Sequence, residues 1–368
     1  MIFSTMQLCP FGGVTGALRS SLVLTRELVQ RGPVAVFVLQ DDEHAQAFRE
    51  LGANVAVAFP KGLPRLRARR WWTYCYRLRE AIRVNDCKLI HSHSAQLLRY
   101  ALPVSLWSRV PLICHQRELW EGRYQQIGLG HTHAIISISK VVEQSLPNNW
   151  RKKSTLIYNA VAGPDEVPAR VKDARPLRIG VAGRVVRDKG QDLLVAALEP
   201  LLNKYEIVLE IWGMPPFHAA APYATALVET ANRLTPHVRL EPMREDMHTF
   251  YSRMDIVVVP SRWVEPMGRV AIESMAWGCC TVVAGHGGLS EVVDDGRTGL
   301  TFHPGDVESL RAALLTLIND PDLRLQLASE GRLEYERRFR SNAHCSAVLD
   351  VYRRVLSKYH FLDRGNES

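Results

Sequence analysis

Residues 255–278 read DIVVVPSRWVEPMGRVAIESMAWG. The stretch falls into three pieces. Asp255–Pro260 is a short, β-branched, continuously apolar run, as in a strand buried on both faces of a parallel sheet. Pro266 and Gly268 enforce a turn. Arg269–Trp277 then has helical spacing and stops at Gly278, a residue suited to the left-handed position after a helix. A strand that runs through a tight turn into a helix is half of a βαβ unit, so the expected class is α/β.

The same alternation extends both ways. In the first half the expected strands are Val34–Leu39, Asn54–Phe59, Leu89–His93, Pro111–His115, Ala134–Ile138 and Thr155–Tyr158, with amphipathic stretches such as Leu18–Arg31 and Tyr74–Asn85 between them. Gly163-Pro164-Asp165-Glu166-Val167-Pro168 through Pro176 is rich in Pro and charge and reads as a linker. The alternation restarts with Leu177–Ala182, Ile207–Trp212, Val238–Leu240, Asp255–Pro260 and Thr281–Ala284, with helical patterns at Asp192–Leu202 and Pro222–Leu234. The expectation is two open α/β domains, 1–165 and 176–345, followed by a closing helix at 346–368 that packs back on the first. Ligands of such sheets bind outside the carboxyl ends of the strands. Two facing domains would place the site in a cleft.

Composition agrees with a globular protein. The chain has 368 residues, a net charge of +8 and 46% hydrophobic residues, a length that suits two domains. It contains no run of 18 apolar residues, which argues against a membrane-spanning helix. The opening residues lack a basic segment, so no secretory signal is expected. Seven cysteines, an odd number without a C-x-x-C pair, suit a reducing cytoplasm and thiols packed as small hydrophobes. Charge is uneven. Residues 1–170 hold 22 Lys and Arg against 12 Asp and Glu, while residues 171–368 hold 24 against 26. The basic excess of the first half points to an anionic partner there.

No P-loop and no G-x-G-x-x-G occurs, and no His/Cys/Asp set has metal-ligand spacing, so no metal is expected. What recurs are glycine turns at strand-to-helix junctions. The first is Pro10-Phe11-Gly12-Gly13-Val14-Thr15-Gly16, an anion cradle or an ordinary tight turn. The second runs from Gly180 through Gly183-Arg184 to Lys189-Gly190, where two cations suit a diphosphate or simply face water. The third is the opening stretch. Its Glu265 and Glu273 straddle a helix start whose amides could hold a phosphate, and carboxylates accept hydrogen bonds from sugar hydroxyls. Gly287-Gly288 with Glu291 and Asp295-Gly296-Arg297-Thr298-Gly299 follow.

This ordered set resembles the retaining glycosyltransferases of family 4, which have the GT-B fold of two Rossmann-like domains with parallel sheets facing across a cleft. The resemblance covers residues 1–345 and is strongest from 178 to 302. It implies a nucleoside-diphosphate sugar as donor and a glycan or lipid-linked acceptor, in polysaccharide or lipopolysaccharide synthesis. It implies that Arg184 and Lys189 bind the pyrophosphate, that Glu265 holds donor-sugar hydroxyls, and that Glu273 holds the ribose. Gly183, Met267, Gly268, Arg269 and Val270 would line the donor, the last three through backbone amides, and Gly12 and Gly13 would close on it. His115 would lie near the anomeric carbon, and Asn159 would precede the interdomain linker. Met267 replaces the family's usual Phe, and the usual Gly after the second domain's third strand is not evident near Pro242-Met243. His93 ends a strand and reads as a packed histidine or one facing the cleft.

The resemblance further implies attack from the same face as departure, without a carboxylate nucleophile. Charge on the departing diphosphate would be met by Arg184, Lys189 and helix amides rather than a metal. Segment 61–83 carries eight Lys and Arg against Glu80 alone, interleaved with Trp71, Trp72, Tyr74 and Tyr76. Its Arg65, Arg67, Arg69, Arg70, Trp71 and Trp72 are candidates to meet an anionic membrane or the acceptor. A solvated basic helix with core aromatics accounts for the same pattern. Single-stranded nucleic acid is a third partner for such residues, but no nucleic-acid motif supports it. A sugar-nucleotide 2-epimerase of the same fold and a non-catalytic basic binding module stay as alternatives.

Overall fold

In the computed structural model, the described residues are 4–9, 16–60, 67–122, 124–172, 175–214, 222–242, 244 and 246–365. Gly12, Gly13 and Arg65 lie outside them, as does the side chain of Arg67. The chain divides into two compact units. Unit 1 is residues 1–160 with 341–368, and unit 2 is residues 161–340.

Unit 1 holds β1 (Ser4–Leu8), β2 (Val34–Val38), β3 (Asn54–Val57), β4 (Cys87–Ser92), β5 (Leu112–Gln116), β6 (Ala134–Ser137) and β7 (Ser154–Leu156). They form one sheet in the order β3-β2-β1-β4-β5-β6-β7, and every pairing is parallel. Unit 2 holds β8 (Leu177–Ala182), β9 (Ile207–Met214), β10 (Val238–Pro242), β11 (Ile256–Val259), β12 (Cys280–Ala284) and β13 (Leu300–Phe302). Their order is β10-β9-β8-β11-β12-β13, again all parallel. β2, β5 and β12 are buried at every residue, and in β2 this burial shows as an unbroken apolar run. Along β2, Ala35 and Phe37 join one core cluster while Val34, Val36 and Val38 join another. Helices therefore cover both faces of that sheet.

Two strands escaped the sequence reading. β1 lies inside its sheet, between β2 and β4, but is polar at Ser4, Thr5 and Gln7. β13 is a three-residue edge strand. The stretch read as a linker has no regular structure, yet it is fastened along unit 2. Arg170 donates to the carbonyls of Met254, Tyr251, Trp277, Gly278 and Ser252 at 2.6–3.2 Å, and the Gly163 amide donates to the Tyr335 hydroxyl at 2.9 Å.

The last helix starts at Ser341 and runs to Gly365. Its Cys345, Val348, Val351, Tyr352, Val355 and Leu356 join the unit 1 core. All seven cysteines are free and buried, and burial pushes the Cys9 thiol up to about 12. The basic segment forms a helix over Arg67–Val84. The expectation that Trp71 faces a partner is corrected. Its Nε1 donates to the Arg99 carbonyl at 3.1 Å and its ring packs on the core, beside the fully buried Tyr74. Arg70 is half-buried, whereas Arg69 and Trp72 are exposed.

Candidate active site

In unit 2 the chain steps from β8 outward to β9 and β10 on one side, and to β11, β12 and β13 on the other. Loops leaving the carboxyl ends of β8 and β11 therefore diverge, and a crevice opens between them where α/β sheets bind ligands. Gly183-Arg184 to Lys189 leaves β8, and Pro260 to Gly268 leaves β11.

The two loops meet at one carboxylate. Glu265 is buried, and its Oε1 accepts from both Lys189 Nζ and Ser261 Oγ, the latter at 2.7 Å. The Glu265 carbonyl accepts the Gly288 amide at 2.7 Å, which ties in the turn after β12. Lys189 also lies 5.5 Å from the centroid of the Trp263 ring. Neighbouring Arg262 grips both oxygens of Asp192, at 2.6 and 2.7 Å, and its amide donates to the Asp188 carbonyl at 2.8 Å. This brace locks the β11 loop to the Lys189 turn. Arg184 is exposed at the mouth of the same loop.

Glycines set the spacing. Gly190 sits at φ +68°, and a Cβ there would come 2.0 Å from the Pro260 carbonyl oxygen. Gly268 has φ +87° and caps the helix Arg269–Ala276. The first amides of that helix point out of its N-terminus. Met267 is buried. Within the helix, Glu273 accepts from Tyr251 Oη and from Arg269 Nε, both at 2.6 Å. Val270 packs against the Trp212 cluster. The sequence reading missed Ser261, Tyr251, Asp192 and Gly213. Ser261 lay in the quoted stretch, four residues before Glu265. Tyr251 is 22 residues from Glu273, with no local pattern to link them. Gly213, in β9, passes close to the Gly183 turn; a Cβ on it would lie 1.9 Å from the Gly183 carbonyl oxygen.

His115 belongs to unit 1, at the end of β5. It is fully buried in a stack with His91, His93 and His344. Gln7 Nε2 donates to the Tyr352 hydroxyl at 3.2 Å, the hydroxyl meets His91 Nδ1 at 2.7 Å, and His91 Nε2 meets His115 Nδ1 at 3.2 Å. If each group passes its hydrogen onward, His115 is left with a proton on Nε2, which has no hydrogen-bond partner among the described residues. His93 is packed, its Nε2 on Gln7 Oε1 at 2.9 Å and its Nδ1 on Arg117 at 3.1 Å. Arg117 also donates to Asn159 Oδ1 at 2.7 Å. Burial, with the charge of Arg117, holds His91, His93 and His115 well below the ordinary histidine value. Nitrogens of these three lie within 4.8 Å of one another. The stacked rings and the adjacent guanidinium nonetheless make a poor cation site.

Comparison with known proteins agrees with this geometry. Residues 14–162 match the family model described as Glycosyltransferase Family 4, and residues 176–320 match Glycosyl transferases group 1. The chain belongs to these glycosyltransferases. Its similarity to the alpha-maltose-1-phosphate synthase of Mycolicibacterium smegmatis is 32% identity, over 55% of this chain and 54% of that one. For the capsular polysaccharide biosynthesis glycosyltransferase CapM of Staphylococcus aureus it is 28%, over 49% and 47%. The chain thus spans about half the length of these curated relatives. Among solved structures, Anabaena HepE in complex with UDP and glucose superposes with a TM-score of 0.80 at 20% identity, over 95% of this chain and 99% of that one. The fold of this glycosyltransferase is GT-B. No helix among its described residues is long and apolar enough to cross a membrane.

Proposed function

We propose that this glycosyltransferase is a retaining enzyme that moves a sugar from a nucleoside-diphosphate donor to a hydroxyl of a glycan or lipid-linked acceptor in cell-surface polysaccharide synthesis. The observation that carries the reading is the Lys189–Glu265 contact where the β8 and β11 loops diverge. A cation for phosphate and an acid for sugar hydroxyls are thereby within one hydrogen bond of each other. The UDP and glucose of the HepE complex and the capsular role named for CapM support the donor and acceptor classes.

In this reading Arg184, Lys189 and the amides of Gly268, Arg269 and Val270 take the diphosphate, and Glu273 takes the ribose. The acceptor oxygen bonds to the anomeric carbon on the face from which the diphosphate leaves. The carbon–phosphate-oxygen bond breaks with its electrons going to the diphosphate, whose oxygen takes the acceptor's proton. Charge grows on the leaving group, so preorganised donors there lower the barrier, and the reading calls for no metal. The resemblance also assigns His115 a part, and its Nε2 is buried without a hydrogen-bond partner among the described residues. The enzyme would work in the cytoplasm, and nucleic acid is not its partner.

A thermal-shift panel of nucleoside diphosphates tests the proposal, because a ligand that prefers the folded state raises its stability. One base should raise the melting temperature in a dose-dependent way. A flat response across the panel would overturn the donor assignment.

A further inference from the structure

On the Arg67–Val84 helix, Arg69, Trp72, Tyr76, Arg79 and Arg83 fall at spacings of three and four residues and so share one stripe. Trp72 is 65% exposed and Tyr76 62%. The opposite side, Tyr74, Cys75, Leu78, Ala81 and Ile82, is core. The helix Leu98–Ser108 lies alongside, joined by the Trp71–Arg99 bond described above. It ends in Leu106, 78% exposed, and Trp107, 53% exposed. The Arg79 guanidinium lies 4.3 Å over the Trp107 ring, which joins the two helices into one surface. From Arg67 to Val84 and Leu98 to Arg109 there are eight arginines and a single acid, Glu80. That acid is already gripped by Arg83 at 2.6 and 3.1 Å.

We propose that this face of unit 1 seats on an anionic lipid bilayer, with Trp72, Tyr76, Leu106 and Trp107 in the headgroup boundary and the arginines on lipid phosphates. Tryptophan and tyrosine favour such a boundary because an apolar ring and a polar tip are both satisfied there. Basic residues are drawn to anionic headgroups. Leu106 decides against single-stranded nucleic acid: an aliphatic side chain offers no face for base stacking, whereas it gains by leaving water for the acyl boundary. The inward turn of Trp71 and Tyr74 already anchors the helix, so the outer aromatics are not needed to hold the fold. No residue of this surface belongs to the proposed donor site.

The test is co-sedimentation of the full chain with vesicles of phosphatidylcholine alone and of phosphatidylcholine mixed with phosphatidylglycerol. Binding should require the anionic lipid and weaken with salt. Trp72→Ser with Trp107→Ser should lower the partition about tenfold, and Arg69→Gln or Arg79→Gln about fivefold each. Thermal melts and the nucleoside-diphosphate shift, run on the same preparations, should stay unchanged. The proposal falls if the protein pellets with neither vesicle or if the substitutions leave the partition intact. It also falls if vesicles fail while a single-stranded oligonucleotide binds and the same substitutions abolish that binding. Vesicle binding without any nucleotide response would instead count against the donor reading alone.

Discussion

Lys189 and Glu265 neutralise one another in a contact that is mostly shielded from water. An arriving diphosphate must share that lysine with the acid, and the competition separates two substitutions. Glu265→Gln keeps the shape and removes the rival charge. Turnover should fall about 100-fold or more as the sugar loses a charged acceptor, while isothermal titration should show nucleoside diphosphate bound at least as tightly. Lys189→Ala should cost about 100-fold in turnover and weaken the nucleotide as well. Unchanged turnover would remove Lys189 from the mechanism. Loss of nucleotide affinity in Glu265→Gln would show that the acid supports the anion site rather than competing for it.

Between β8 and the helix that follows, the Lys189 turn is held from two sides. The Arg262–Asp192 brace fixes it to the β11 loop. Gly190 lets it close, with its left-handed φ and the Pro260 carbonyl in the place of a side chain. Gly190→Ala must adopt a conformation that costs an L-residue about 1–2 kcal/mol and must also push Pro260 away. Urea denaturation should therefore show a loss of at least about that size, together with weaker nucleotide binding. Wild-type stability in this variant would mean that the turn is not closed as described. Gly183, at φ +139° with open space beyond its Cα, lets the β8 loop turn without filling the crevice.

At the scale of the whole molecule, unit 1 carries a histidine cluster that makes its stability depend on pH. His91, His93, His115 and His344 are buried side by side, and Arg117 opposes their protonation. Burial, eased by the Tyr158 carbonyl, brings His344 down to about 4. An unfolded chain takes up these protons near pH 6.5 and the folded one does not. The stability they contribute is thus complete above about pH 6.5 and declines as pH falls below it, by up to ~1.4 kcal/mol per pH unit for each histidine. For His344 the decline continues to about pH 4. Denaturation midpoints should hold level from pH 7.5 to about pH 6.5 and fall from there to pH 5, and His344→Gln should make the slope of the fall shallower. A flat profile would show that the histidines are charged or solvated in the folded state.

The sequence alone determined the α/β class, the two-part organisation and most strands, because burial on both faces writes an unbroken apolar run into neighbouring residues. It also placed Arg184, Lys189, Glu265 and Glu273 on turns and a helix start, since Gly and Pro mark such turns locally. β1 was harder to read, because Gln7 faces Tyr352 rather than a greasy neighbour. Tertiary structure alone decided which strands adjoin and therefore where the loops diverge. It decided that Ser261, Tyr251 and Asp192 complete the site, that Arg170 fastens the supposed linker, and that Trp71 turns inward while Trp72 faces out. Each of these depends on partners distant in the chain. No local spacing records such pairings; only the packing of complete elements brings the groups together.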